Sequence, residues 1–298
     1  MLVNVANLRT LYTGYSAAFA AGLAAAGASL YPRIATVVPS STRSNEYGWL
    51  GQMPRIREWI GDRVVQNLDT AGYTIKNRSF ESTISVSRDD IEDDNIGIYT
   101  PMFTEFGRSS ATFADELVWP LLQAGFNTPC FDGQYFFDTD HPVLDADGNV
   151  YSVSNFGGGS GVPWFLIDDS RSIKPLIFQT RRAFELTRMD ALTDEVVFNS
   201  KQFRYGTDGR CNAGFGFWQL AHGSKQPLNA GSYEAARVQL ASLKADRGRP
   251  LGISGRLLIV PPALEGAARK LLNSEYAAGG ETNQWKGTAE LLVVPWLA

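Results

Sequence analysis

Apolar positions recur at helical spacing from the start of the chain. Leu8, Leu11, Tyr12, Tyr15, Phe19 and Leu23 fall on one face of an Ala-rich stretch, so residues 1–30 read as an amphipathic helix. A thin stripe of this kind suits an arm that packs on something else, or equally an ordinary first helix. A loop with Pro32, Pro39 and several Ser and Thr follows. Residues 46–90 read as a long β-hairpin, with a first arm from Ile56 to Val65, a turn near Asp69–Gly72 and a return arm from Tyr73 to Ser87. Tyr73 and Ile75 share one parity and Phe80, Ile84 and Val86 the other, which predicts a bulge or bend around Lys76–Ser79. A lone two-stranded hairpin is marginal in water, so this one is expected to rest on another surface, its own subunit's core being the plainer choice. The run Arg88–Asp94 carries five acids in seven residues and reads as a solvated loop.

The strongest helical pattern spans 101–124. Thr100 is a natural N-cap, Pro101 a natural first residue, and Met102, Phe106, Phe113, Leu117 and Leu121 form a stripe ended by Gly125. At 1.5 Å per residue this is a rod of roughly 36 Å, long enough to act as a spine, with Pro120 expected to kink its last turns. Phe131–Phe137 reads as turn and strand, 144–163 as loop, and 164–168, 174–180 and 195–205 as strands. Glycines alternate with rings at Gly214–Trp218, which predicts a close backbone approach or a bulge. From Lys225 onward the chain reads as a compact α/β unit. It has helices at Tyr233–Asp246, capped by Ser232, and at Ala263–Asn273, and central strands at Leu257–Val260 and Leu291–Val294.

Composition narrows the chemistry. With 298 residues, 44% apolar and 19% charged, the chain can bury a sizeable core, and its many rings imply extensive packing within or between subunits. A net charge of -4 lacks the basic excess of a protein that grips nucleic acid. Cys130 and Cys211 form no CxxC or Cys/His cluster, so neither a zinc site nor a disulfide is expected, and a reducing cytoplasm suits the composition. The N-terminal stretch lacks the basic cluster and unbroken apolar run of a signal peptide, and no segment reads as a membrane span. His141, in Asp138-Thr139-Asp140-His141-Pro142, reads as a turn residue; acid/base work with Asp140 is the rival. Asp145–Asn149 resembles the opening of a calcium loop without the closing glutamate and reads as a polar turn. Gly157–Gly161 has no apolar strand before it and no helix after it, so it reads as a flexible loop rather than a phosphate cradle. Nucleophile-elbow, Walker A and zincin motifs are missing.

Several segments together resemble the Mu-like phage major head subunit family. They are Gly48–Pro54, Tyr73–Asn77 with Phe80-Glu81, Arg88–Asp94, Asp132-Gly133-Gln134 to His141-Pro142, Pro163–Asp168, and Gly248–Leu251 to Leu258–Pro262. The likeness covers nearly the whole chain, and it is the set rather than any one piece that is specific. The resemblance implies an α+β, Hong Kong 97-type capsid fold. Its parts would be an N-terminal arm (1–45), an extended hairpin or E-loop (46–90), a peripheral domain (91–222) with the spine helix 101–124, and an axial-like α/β domain (223–298). One departure stands out: the axial-like unit comes last, and Pro163–His222 looks like the part that usually closes such chains. Either the segment order is altered across the glycine run, or the subdomains after residue 162 are assigned differently.

The implied function is that of a major capsid protein, self-assembling through hexamers and pentamers into an icosahedral shell around double-stranded DNA held without sequence preference. Scaffold and portal proteins are the implied partners, with no membrane, cofactor, metal or catalytic residue; the shell would be assembled in the bacterial cytoplasm and end in the virion. Opposite charge pairs Arg55, Arg57 and Arg63 of the hairpin with Asp89, Asp90, Asp93 or Asp94 of a neighbour, and Trp59, Ile60 and Phe80 are expected to be buried between subunits. Competing readings are another phage structural protein of tail or decoration type, an encapsulin-like nanocompartment shell, and a hydrolase using Asp140 and His141.

Overall fold

Asn4 caps the first helix, its side chain accepting the Asn7 amide at 2.9 Å, and α1 (Val5–Ala25) follows. The structure, a computed structural model, describes residues 1–51, 72–145, 147–277 and 279–298. After α1 come β1 (Ala35–Pro39), β2 (Ser44–Glu46), β3 (Thr74–Lys76), β4 (Arg78–Ser87), α2 (Arg88–Glu92) and the long α3 (Tyr99–Ala124). The middle of the chain gives β5 (His141–Leu144), β6 (Val150–Val153), β7 (Phe156–Gly159), β8 (Trp164–Ile167), β9 (Leu176–Met189), α4 (Glu195–Ser200) and β10 (Gln202–Phe215). The last third gives β11 (Ala221–Lys225), α5 (Ala230–Ser242), the two-residue strands β12 (Lys244–Ala245) and β13 (Arg249–Pro250), β14 (Leu257–Val260), α6 (Glu265–Leu272) and β15 (Glu290–Val293).

Two sheets organise these elements. The first has the order β1-β9-β10-β4 and is built on the long antiparallel pair β9–β10. The second has the order β15-β14-β8-β11-β7. It takes strands from both sides of residue 222, so the segments expected to part there share one sheet, and that boundary falls inside β11. α3 runs between the two apolar cores. Its first half, with α1, α2, β4 and β10, encloses Leu8, Leu11, Tyr15, Phe103, Phe106, Phe203 and Tyr205. Its second half places Val118, Trp119 and Leu122 in the larger core with Trp164, Trp218 and the residues of β14.

Being covered on two sides shifts the spine's buried face from the expected stripe. Met102 is exposed and Phe113, Leu117 and Leu121 are half-buried, whereas Phe103, Ala114, Asp115, Val118, Trp119 and Leu122 are buried. The helix starts at Tyr99, after a 3-10 turn at Ile96–Ile98, so Thr100 is not its cap; it continues past Pro120 to Ala124.

Other expectations need correcting. The acidic run is not a loop: Ser87 caps it by accepting the Asp89 amide at 3.2 Å, Asp89 and Asp90 sit in the first turn of α2, and Ile91 is buried beneath. Residues 195–205 are not one strand. α4 forms first and ends at Lys201, whose φ of 52° breaks the helix before β10. The first part of the glycine run, Gly157–Gly159, lies in an edge strand, β7, and a Cβ on Gly159 would stand 2.4 Å from the Lys225 backbone, a closeness that glycine permits. The same holds at Gly214, where a Cβ would meet Ile75 Cδ1 at 2.3 Å, so the alternating glycines mark a close approach. α5 is capped by Asn229, with Ser232 completing a reciprocal pair of cap bonds three residues on. β15, expected to be central, is an edge strand.

Candidate functional site

Of the hairpin expected over 46–90, the structure describes the two ends, 46–51 and 72–90. The tip and first arm, including Arg55, Arg57, Trp59, Ile60 and Arg63, lie outside the described residues. On the return side β3 pairs antiparallel with β2, and β4 pairs with β10 from Ser87↔Gln202 to Arg78↔Cys211. The break between β3 and β4 falls at Asn77, inside the stretch where the change of parity places a bend.

A buried polar chain fixes this base. The Gln179 carboxamide, on β9, accepts the Tyr47 hydroxyl at 2.8 Å and donates to Asn77 Oδ1 at 2.7 Å and to the Ile75 carbonyl at 3.1 Å. Asn77 in turn donates to Ser40 Oγ at 2.8 Å and to the Thr42 carbonyl at 2.9 Å. The Tyr47 amide donates to the Tyr73 carbonyl at 2.9 Å, and the Tyr73 hydroxyl accepts the Phe215 amide at 2.8 Å. Burial pushes the Tyr73 hydroxyl up to about 12, so it stays protonated. Gln179 and Asn77 are missed by a search for charged or aromatic residues. Their signal in the sequence is weak: Asn77 lies among the polar residues Lys76, Arg78 and Ser79, and Gln179 opens the polar stretch Gln179–Arg182.

The remaining expected contact residues divide into two groups. Phe80 packs edge-on against Phe113 of its own α3 at 4.7 Å, with the Arg78 guanidinium 5.1 Å above its ring, so part of this ring is already spent inside the subunit. Asp90 is also engaged internally, accepting the Tyr99 hydroxyl at 2.5 Å and the Asn95 side chain at 3.4 Å. Asp89, Asp93 and Asp94 are exposed, and Asp89 lies 3.8 Å from Lys201 Nζ. The structure therefore gathers three accessible carboxylates on or just after α2, close to the β4 end of the return arm.

His141 is not the turn residue expected. It is fully buried at the start of β5, stacked on Trp218 at 3.9 Å. Its Nδ1 lies 2.7 Å from Asp132 Oδ2, and its Nε2 3.2 Å from Asn155 Oδ1. The ring nitrogens thus face Asp132 and Asn155 rather than Asp140, its partner in the rival hydrolase reading, whose carboxyl is raised by a bond with Asp138. Burial pushes the Asp132 carboxyl up, but bonds from His141 and Cys130 outweigh that and hold it low. The Asp140/His141 hydrolytic pair is thus not assembled. Asp145 forms a polar turn, accepting the Asp147 and Asn149 amides at 2.9 and 2.8 Å. Among the described residues no helix is long and apolar enough to cross a membrane.

Comparison with known proteins agrees with this arrangement. Residues 8–297 match the family described as Mu-like prophage major head subunit gpT. The chain is 44% identical over 306 residues to the major capsid protein of Escherichia phage Mu, covering 100% of both. It is 46% identical over 278 residues to the Mu-like prophage FluMu major head subunit of Haemophilus influenzae, covering 91% of this chain and 90% of that one. A subunit in the procapsid of bacteriophage JBD30 superposes with a TM-score of 0.88 at 45% identity, over 99% of this chain and 100% of that one. A subunit of the JBD30 capsid superposes with a TM-score of 0.78 at 34% identity, over 92% and 93%. The α+β, Hong Kong 97-type capsid fold expected from the resemblance is the one observed. The end-to-end alignment with the phage Mu protein leaves no altered segment order relative to that protein.

Proposed function

Given that the chain belongs to the Mu-like prophage major head subunit gpT family, we propose a route by which it, as a major capsid protein, closes a shell. It is a structural subunit of the virion and not an enzyme. Hexamers and pentamers form first, with the segment between Gly51 and Gly72 of each subunit reaching over a neighbour. The exposed carboxylates Asp89, Asp93 and Asp94 receive Arg55, Arg57 or Arg63 of that neighbour, and Trp59 and Ile60 supply the apolar contact. The observation that carries this reading is the anchoring of the reaching segment. Gln179, Asn77, Tyr47 and Tyr73 hold both its ends to the β9–β10 pair. A reaching segment rooted in a rigid, buried network can bear load between subunits.

Similar subunits are found in both the procapsid and the capsid of JBD30, and assembly of this chain through a precursor shell is part of the proposal. A solved JBD30 capsid is decorated with minor capsid protein trimers, and a comparable decoration protein is a proposed partner here, with scaffold and portal proteins. Double-stranded DNA fills the shell without sequence-specific contacts, in keeping with a net charge of -4. Negative-stain electron microscopy of the chain, expressed alone and with its genomic neighbours, tests the route. Closed shells, or rings of five and six subunits that convert to shells, are expected. A monomer under both conditions would overturn it.

A further inference from the structure

Three side chains that shell formation does not use converge between the end of α3 and the start of β5. Cys130 Sγ, a carboxylate oxygen of Asp132 and a ring nitrogen of His141 all lie within 4.8 Å of one another. The Cys130 thiol donates to Asp132 Oδ1 at 3.0 Å, and His141 Nδ1 stands 2.7 Å from Asp132 Oδ2. Cys130 is 6% exposed and His141 0%. Sequence spacing gives no hint of this set, because 130, 132 and 141 match no common ligand spacing; the turn at Phe131–Phe137 folds them together.

The His141 ring is fixed in orientation by Asp132 on one side and Asn155 on the other. The Asn155 carboxamide is oriented by its surroundings. Its Nδ2 donates to the carbonyls of Phe136, Trp218 and Ala221 at 2.8, 3.3 and 3.2 Å, and its Oδ1 accepts the Asp138 amide at 2.9 Å. The same Oδ1 faces His141 Nε2 at 3.2 Å, so both ring nitrogens have a fixed partner and Nδ1 is aimed at the Asp132 carboxylate.

We infer that Cys130, Asp132 and His141 form a binding site for one zinc ion. Zinc accepts sulfur, nitrogen and oxygen donors together, at about 2.3 Å for thiolate and about 2.0–2.2 Å for imidazole and carboxylate. In a tetrahedral arrangement these lengths set the donors roughly 3.3–3.7 Å apart, which the present separations reach by small side-chain movements. Binding would replace the Cys130 S–H by a thiolate–metal bond, with the thiol proton leaving to solvent, and that thiolate and the Asp132 carboxylate together would offset the 2+ charge. The contact between Nε2 and Asn155 Oδ1 at 3.2 Å is of the outer-shell kind that orients a metal-bound imidazole. A cavity of ≈ 70 Å³ opens beside Asp132, lined also by Trp218, Gln219, Lys244 and Asp246, and is the route by which water or an ion would reach the carboxylate. The ion would tie the turn after the spine helix to β5.

The test uses the untagged full-length chain, equilibrated with zinc or cobalt chloride and freed of excess metal. Elemental analysis is expected to give one zinc per chain. The cobalt form is expected to show a thiolate-to-metal charge-transfer band and the strong visible bands of four-coordinate cobalt, both lost in Cys130→Ser. Folded wild-type chain that retains no zinc, or binds cobalt without a thiolate band, would overturn the site, and so would one zinc per chain persisting in the Cys130→Ser/His141→Asn double variant. Because the wild-type spectrum decides the matter, the inference stays testable even if the variants fail to fold.

Discussion

Gly22 of α1 and Gly107 of α3 each face the backbone of the other helix. A Cβ on Gly22 would stand 1.8 Å from the Thr104 carbonyl oxygen, and one on Gly107 would stand 2.0 Å from the Phe19 carbonyl oxygen. The two helices therefore meet backbone to backbone, with Phe19 and Phe106 edge-on at 5.6 Å beside the contact. Gly107→Ala forces them apart and should destabilise the subunit by about 1–3 kcal/mol, as overpacking does. Gly14 is the control: its Cβ would meet nothing within 4 Å, so alanine there should be neutral or stabilising by up to about 1 kcal/mol. Thermal unfolding of both variants checks the contrast.

That crossing shows how far the sequence could be read. The stripe of Leu8, Leu11, Tyr15 and Phe19 is visible because α1 is covered on one side, and a period of 3.6 records one-sided burial. α3 is covered on both sides, so its buried set drifts from Phe103 and Phe106 to Val118, Trp119 and Leu122, and no single stripe describes it. β14 was legible as an unbroken apolar run, and α6 by its position after Pro261-Pro262. The β9–β10 pairing and the base built on Gln179 were not legible, because both depend on partners far away in the chain. The acids after β4 could be read as a charged group, but not that Asp90 would turn inward to Tyr99 while its neighbours stayed exposed.

Asp115 sits fully buried in the spine and serves two donors. Its Oδ1 accepts the Tyr31 amide at 2.8 Å and the Trp119 indole at 2.9 Å. Asp115→Ala strands both N–H groups, at about 1–3 kcal/mol for each buried donor left unpaired. Asp115→Asn keeps an acceptor oxygen for both and should lose much less. Denaturant unfolding of the two variants should therefore separate them clearly, and equal losses would refute this role for Oδ1.

His222 makes stability sensitive to acid. It is 2% exposed, and burial lowers it from 6.5 to about 4, partly countered by Gln239. The folded state holds it neutral while the unfolded chain takes up a proton below 6.5. Its contribution is thus intact above that pH and lost as pH falls towards 4. The shift corresponds to roughly 3 kcal/mol over that window. Unfolding free energies of wild type and His222→Gln, measured from pH 7 to pH 4, should converge as the solution is acidified; parallel curves would exclude His222 as the source.

The acids near β4 should divide into two behaviours. Asp90→Ala removes the acceptor of the Tyr99 hydroxyl and should lower the stability of the isolated subunit by about 1–3 kcal/mol. Asp93→Lys lies on the surface and should leave subunit stability within about 0.5 kcal/mol of wild type. If Asp93 receives an arginine of a neighbour, the same reversal blocks or misdirects shell closure. Circular dichroism on the subunits and electron microscopy on the assembled product read the two effects separately, and normal shells from the Asp89→Lys/Asp93→Lys/Asp94→Lys triple variant would remove these acids from the interface.

Gln179 links the core of the first sheet to the two described ends of the expected hairpin. Replacing it with leucine keeps most of the volume but leaves the Tyr47 hydroxyl, Asn77 Oδ1 and the Ile75 carbonyl without the partner they have at 2.8, 2.7 and 3.1 Å. Each buried group so stranded costs about 1–3 kcal/mol, so Gln179→Leu should lower the thermal midpoint more than a surface change such as Asp93→Lys. Gln179→Glu keeps the acceptor for Tyr47 but loses both donated bonds, and it should fall between wild type and leucine only if the Tyr47 bond matters on its own. The assembly readout is the sharper one. A base that holds load between subunits should fail in the shell under conditions where the variant subunit is still folded, giving open or irregular particles by electron microscopy. Regular shells built from a measurably destabilised Gln179→Leu subunit would mean that the network stabilises the fold without serving assembly.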